Sequence, residues 1–281
     1  MDKIDRLGWA AGAAFRVFGV RVGIRVNDPL VLDSVLSRVP AGWTQLEAAV
    51  VDRLYSVVTP LVWHRRVECD ICVCSMVTAR LNRTERIEDM LNAFESDLDL
   101  HIAANSEDRL FIHAGAVSWK GHAIVIPGRS HAGKTTLVAE FLKSGAAYYS
   151  DDFAAVDRSG YLHPYPRDLS ARTASKGTRR IGPEEFRAAR AQPRPISFVL
   201  LTKYAEDARW CPRPLSRGQA VLRLLENTPS ARKQPSFAMG MLQKAVESAE
   251  IHQGWRGEKE QTVHDVLNYL DGRSLHDIAG N

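Results

Sequence analysis

Between Phe18 and Val26 the chain reads "FGVRVGIRV", with Phe18, Val20, Val22, Ile24 and Val26 at every second position. Such alternation predicts a half-buried strand. In "NDP", Asn27 or Asp28 is placed to cap a helix with Pro29 at its first position, and "LVLDSVLSRV" carries the helix on. Two further strand-like runs follow, "VVDRLYSVV" and "CDICVCSMV". In residues 85–104 the period changes, and Ile87, Leu91, Phe94 and Leu98 recur at helical spacing. Residues 1–105 therefore read as a small α+β domain without a motif that speaks to chemistry.

From residue 106 the pattern is different. Strand signals over 110–118 and 122–127 flank the turn "KGH", and the second runs directly into "PGRSHAGKTTL". A helix over 134–143 follows and ends at Gly145, and "AAYYSDDFAAVD" reads as another strand. Strand, Gly-rich loop, helix, strand is the order of a phosphate-binding unit. Residues 158–195 hold five prolines and nine Lys/Arg against three Asp/Glu, and read as a basic, loop-rich segment that could close over phosphates. A buried strand is predicted at 196–204, "ISFVLLTKY". Three helices are then predicted: "RGQAVLRLLEN" behind Ser216, "SFAMGMLQKAVESA" behind Pro235, and "QTVHDVLNYL" with Val263, Val266, Leu267 and Leu270 on one face.

Composition narrows the function classes. The 281 residues are 45% hydrophobic and 25% charged, with a net charge of +4. That is ordinary globular composition and too weakly basic, with no basic stripe, for a nucleic-acid footprint. No apolar run approaches the roughly 18–20 residues of a membrane span. "MDKIDRLGWAAGAAFRVFGV" has a short apolar run broken by Arg16 and carries Asp2 and Asp5, so it is expected to belong to the mature chain. Cys69, Cys72 and Cys74 lack the pairwise spacing of a zinc site, and with Cys211 read as small hydrophobes in a reducing, cytoplasmic setting.

The chemistry concentrates at G-x-x-x-x-G-K-T, Gly128 to Thr135. Gly128 and Gly133 allow a tight turn that brings the backbone N–H groups of Arg129, Ser130, His131, Ala132 and their neighbours to phosphate oxygens. The helix behind it aims its positive end at the same oxygens, through Lys134, Thr135 and Thr136. Lys134 would neutralise β/γ-phosphate charge and the Thr135 hydroxyl would join Mg²⁺. His131 reads as a surface side chain of the loop. Asp151 and Asp152 lie one helix downstream, just after an apolar strand and so at the end of a strand beside the loop, and face opposite ways if the chain there is extended. One would hold the metal, and the other would take a proton from an attacking hydroxyl. Arg167 and Arg172, in "HPYPRDLSAR", could pair with phosphate through forked donors. "WRGEKE" places Arg256 and Glu258 near the start of the last helix, where they read as an exposed cap, with a part in the site as the alternative.

Taken together, His113 on a strand, "KGHAIVIPGRSHAGKTT", "LVAEFLKSGA" and the Asp151–Asp152 pair resemble the HPr kinase/phosphorylase family, and more closely its shorter bacterial relatives. The likeness covers about residues 105–175. It implies an α/β fold: a P-loop, HPr-kinase-like kinase domain over 106–281 with C-terminal helices, behind a variable N-terminal domain suited to acceptor docking. It also implies ATP and Mg²⁺ as cofactors and transfer to a serine hydroxyl of a peptide or small protein, as for relatives that phosphorylate lasso-peptide precursors. Asp152 would be the base, Asp151 would support it and share the metal with Thr135, and His113 would assist near the transferred phosphate. Ala114 and Thr135–Thr136 depart from the Gly after the His and the Ser-Glu after the Lys that are usual in HPr kinases proper. The alternatives are a small-metabolite kinase and a nucleotide-binding switch. The family is often oligomeric.

Overall fold

The computed structural model describes residues 8–47, 50–59, 71–75, 79–129, 132–172 and 178–279. It is a mixed α/β structure that divides into two compact units, Met1–Asp108 and Arg109–Asn281.

The first unit runs β1 (Ala11–Val17), β2 (Val20–Val26), α1 (Leu32–Leu36), β3 (Thr44–Gln45), β4 (Arg53–Val58), β5 (Ile71–Ser75), β6 (Ala79–Thr84) and α2 (Ile87–Asn105). Its sheet has the order β3-β1-β2-β4-β5-β6. The alternating stretch is shorter at its start than predicted. Phe18 and Gly19, with φ of 48° and 84°, make the turn of a β1–β2 hairpin. Asp28 is the cap: its Oδ1 accepts a hydrogen bond from the Leu30 N–H at 3.0 Å, with Pro29 next in line. The predicted helix is a single 3-10 turn followed by the short α1. In α2, Met90, Leu91, Phe94, Leu98 and Ile102 are buried, the stripe its periodicity predicts. Cys69 lies outside the described residues.

The second unit runs β7 (Leu110–Trp119), β8 (His122–Pro127), α3 (Lys134–Lys143), β9 (Ala147–Ser150), β10 (Phe153–Val156), β11 (Tyr161–His163), β12 (Leu169–Arg172), β13 (Thr178–Ile181), β14 (Arg194–Tyr204), β15 (Arg213–Pro214), α4 (Arg217–Leu225), α5 (Pro235–Ala245), β16 (Glu250–Arg256) and α6 (Lys259–Ala279). The main sheet follows β11-β10-β7-β8-β14-β16-β15, with β9 also paired to β7. The strands β8, β14 and β16 are parallel. Alternation along β8 feeds two cores. Ile124 and Ile126 pack with Leu137, Val138 and Phe141 of α3 and Val266 of α6. Ala123 and Val125 pack with Leu224 of α4 and Leu242 of α5. Helices thus cover both faces of the sheet, the arrangement that parallel strands require.

Residues 158–195 are rich in loop, as expected, but also carry paired strands: β11 joins the main sheet, β12 and β13 form a hairpin, and Leu169 is fully buried beside α3. The hydrophobic pattern assigns no element to "EIHQGWR"; it is β16, hydrogen-bonded along its length to β14. Three helices do occupy the C-terminal region, and α4 starts with a reciprocal Ser216–Gln219 capping box.

Candidate active site

The turn Lys120–Gly121, with φ of 45° and 91°, closes β7 onto β8, so His113 on one strand and the loop after the other meet at the same end of the hairpin. The Gly128 N–H donates to the His113 carbonyl at 3.3 Å. Gly133 has φ of 80°, a left-handed conformation that glycine adopts without steric cost, and caps α3. The chain therefore leaves β8, reverses, and enters a helix whose unpaired N–H groups face the loop.

Lys134 opens that helix and is 6% exposed. Its Nζ donates to the carbonyls of Gly128 at 2.9 Å and Arg129 at 3.2 Å, and lies 3.1 Å from His113 Nε2. Burial lowers its pKa, opposed by Asp152 and Asp151.

The acid pair interrupts the edge beside β7. The segment predicted as one strand is two, β9 and β10, with Asp151 and Asp152 at the bend between them. The Asp152 carbonyl accepts from the Ala114 N–H at 3.0 Å, which keeps the bend tied to β7. The two side chains take different partners. Asp151 is buried, and its Oδ2 accepts from the Thr135 hydroxyl at 2.9 Å and the Ser170 N–H at 3.3 Å. Its Oδ1 is buried with no hydrogen-bond partner among the described residues. Burial pushes this carboxyl up from 3.8 to about 6. The Asp152 side chain is 65% exposed, and its Oδ1 lies 3.2 Å from His113 Nε2. That hydrogen bond, more than charge, holds Asp152 below the usual carboxylate range. The same imidazole nitrogen therefore stands between Lys134 and Asp152 and can serve one of them at a time, accepting from the first or donating to the second.

Asp151 and Thr135 fit a divalent cation. Asp151 Oδ1 has no hydrogen-bond partner among the described residues while its Oδ2 meets the Thr135 hydroxyl on the first turn of α3, and Mg²⁺ commonly takes one or two protein oxygens, completing its shell with water and phosphate. Among the described residues no group of three His, Cys, Asp or Glu gathers as a closed metal cage.

The structure thus brings Lys134, His113, Asp152, Asp151 and Thr135 together, with Gly128, Arg129, Ala132 and Gly133 forming the described part of the loop. Thr136 is exposed on the first turn of α3. Ser130 and His131 lie outside the described residues, as does the side chain of Arg172. The Arg167 backbone carbonyl accepts from the Tyr148 hydroxyl at 2.7 Å, and its guanidinium lies over the Tyr165 ring. Beyond the loop's shoulder is a cavity of 790 Å³, bordered by Gly128, Arg129, Lys203, Arg213, Asn227 and Trp255. Sequence reasoning missed this cavity, because its walls come from β14, β15, β16 and α4, far apart in the chain. Arg256 is the clearest correction. It is not part of an exposed cap but 4% exposed, at the end of β16.

The raised pKa of Asp151 has a testable consequence. A carboxyl with a folded pKa above its unfolded value contributes stability below about 3.8, and that contribution is lost as pH rises through about 6. Asp151→Asn removes the titration. In metal-free buffer its stability relative to wild type should rise across that window, by roughly 3 kcal/mol in total. Thermal melts over that pH range check this, and a pH-independent difference contradicts it.

A scan against protein-family models and a search of curated proteins both return no match.

Proposed function

We propose that the chain is an ATP-dependent phosphotransferase of HPr-kinase-like type, with a P-loop at Gly128–Thr135, that moves the γ-phosphoryl of ATP to the serine hydroxyl of a peptide or small protein. The observation that carries this reading is the Asp152 carboxylate. It is exposed, kept ionised by His113, and linked through that one imidazole to the lysine of the glycine-bearing loop. A protein that only senses nucleotide has no use for an exposed base beside the phosphate cradle; a transferase does.

In this mechanism the helix N-terminus and the loop N–H groups hold the phosphate chain, and Lys134 leaves the Gly128 and Arg129 carbonyls to neutralise it. When Lys134 turns to phosphate, His113 Nε2 is released to hydrogen-bond Asp152 and orient it. Asp152 then accepts the proton of the acceptor hydroxyl as its oxygen bonds to the γ-phosphorus. The bond from the γ-phosphorus to the β,γ-bridging oxygen breaks, and ADP leaves. Asp151 and Thr135 would hold Mg²⁺, which neutralises phosphate charge when bound. The cavity beside Arg129 offers an acceptor or nucleoside group room next to the transferred phosphoryl.

The test is incubation with γ-labelled ATP, Mg²⁺ and serine-containing peptides, read by label transfer and by a mass gain of one phosphoryl group. Transfer to a peptide supports the proposal. Transfer to a sugar or other small hydroxyl compound alone moves the acceptor class, ATP binding without turnover favours a switch, and failure to bind ATP removes the reading altogether.

A further inference from the structure

Arg256 sits at the last position of β16, where backbone pairing with Tyr204 of β14 fixes it. Gly257, the next residue, comes so close to the Ala208 carbonyl that a Cβ there would overlap it, so the segment after β14 lies tightly over this strand end. Burial follows, and with it a desolvated guanidinium. Among the described residues one of its five N–H donors is used, Nη1 to the Gly257 carbonyl at 3.1 Å, and Nε has no partner. No carboxylate stands within ion-pair distance of it among the described residues. Glu258, the nearest acid in sequence, is exposed and accepts from the Tyr204 hydroxyl at 2.8 Å. The Tyr204 ring lies 5.3 Å from the guanidinium carbon.

What the head group does touch is the loop. A Cβ added to Gly133 would run into Arg256 Nη2. Gly133 is the N-cap of α3, so the guanidinium lies at the positive end of that helix, where a cation is disfavoured. Lys134, equally buried, is the next residue. Two buried cations and a helix N-terminus converge on one turn, while among the described residues the two acids near it are engaged elsewhere, Asp151 by Thr135 and Ser170 and Asp152 by His113. A buried charge is tolerated when it is paired, so the arrangement calls for an anion at this turn.

We infer that Arg256 is a phosphate ligand, delivered from the end of β16 to Gly133 of the loop, where it binds the phosphate chain of a nucleotide. This rests on the nucleotide-binding reading above and adds an arginine, supplied from within the chain, that the loop motif does not predict. Its forked donors can hold two phosphate oxygens at once, which the Lys134 ammonium cannot match in geometry.

The test measures the affinity of ADP·Mg and ATP·Mg for wild type, Arg256→Lys and Arg256→Ala by calorimetry, with thermal melts of each ligand-free protein. Loss of charge-assisted bonds to phosphate should weaken nucleotide binding of Arg256→Ala by roughly 10- to 100-fold, with Arg256→Lys falling between. Free guanidinium at millimolar level should restore part of the affinity to Arg256→Ala and none to wild type. Variants that melt earlier but bind nucleotide as wild type does would overturn the inference and leave the proposed function standing. Wild type that binds neither nucleotide nor inorganic triphosphate would overturn both. Should the variants not fold, a crystal structure of wild type with ADP decides: a guanidinium within hydrogen-bonding distance of a phosphate oxygen supports the inference, and one turned away from the phosphates overturns it.

Discussion

Asp152→Asn is expected to lower phosphoryl transfer by about 100- to 10,000-fold while nucleotide affinity stays close to wild type. The asparagine keeps the shape and can still meet His113, but its amide cannot take a proton from an attacking hydroxyl. Binding is spared because the groups proposed to hold the phosphate chain, the loop and helix N–H groups and Lys134, do not include Asp152. Removing a negative charge from beside a triphosphate can only ease its entry. The measurements are ADP release under saturating acceptor and calorimetric affinity for ATP. A variant that turns over within a few-fold of wild type ends the case for Asp152 as base, whatever its affinity.

Gly115→Val should damage fold and site together. Gly115 lies two residues beyond His113 on β7, under the start of α3. A Cβ added there would stand 2.5 Å from Val138 Cγ2, 3.7 Å from the Asp151 carbonyl oxygen and 3.8 Å from Lys134 Cβ. Val138 is fully buried against β8, so it has no free direction in which to retreat. Valine must lift α3 from the sheet or push the acid bend outward. Overpacking of this kind costs about 1–3 kcal/mol, and the two added methyl groups place the expected loss near the upper end, about 3 kcal/mol. Displacing Lys134 from Asp151 by about 1 Å is worth about 100-fold in turnover. Urea unfolding and steady-state kinetics test the two halves separately. Unchanged stability would mean that the helix has slack which its close contact with Gly115 denies.

That glycine shows how far the sequence could be read. The small run "AGA" after His113 signals a place where something comes close, but not what. The stretch from Leu110 to Val156 was otherwise legible, because its elements are local: a hairpin with a two-residue turn, a loop spelled by its glycines, a helix with an apolar stripe. The place of Asp151–Asp152 at the end of an apolar strand was legible; the start of a second strand directly behind them was not. "AAYYSDDFAAVD" keeps strand character on both sides, and only pairing with β7 reveals the bend. β16 was harder still. His252 and Arg256 occupy buried positions in it, so its polarity imitates a loop, and its partner β14 begins more than fifty residues earlier. Arg256 was misjudged for the same reason. A charged residue next to glycine looks solvated until a distant strand buries it. The hairpin β12–β13 was obscured by proline and charge around it, although Leu169 anchors it beside α3.

The two-residue turn between β7 and β8 also bears on how the chain is made. The pairs His113–Lys134, Thr135–Asp151 and His113–Asp152 span 21, 16 and 39 residues. Closures that short cost little entropy and form early. A nascent chain has synthesised all of these groups before β14 leaves the ribosome, whereas the β16 flank cannot be laid down until β14, α4 and α5 have been made. Assembly is therefore ordered in time: the lysine and the acids meet first, and Arg256 is the last cation to arrive.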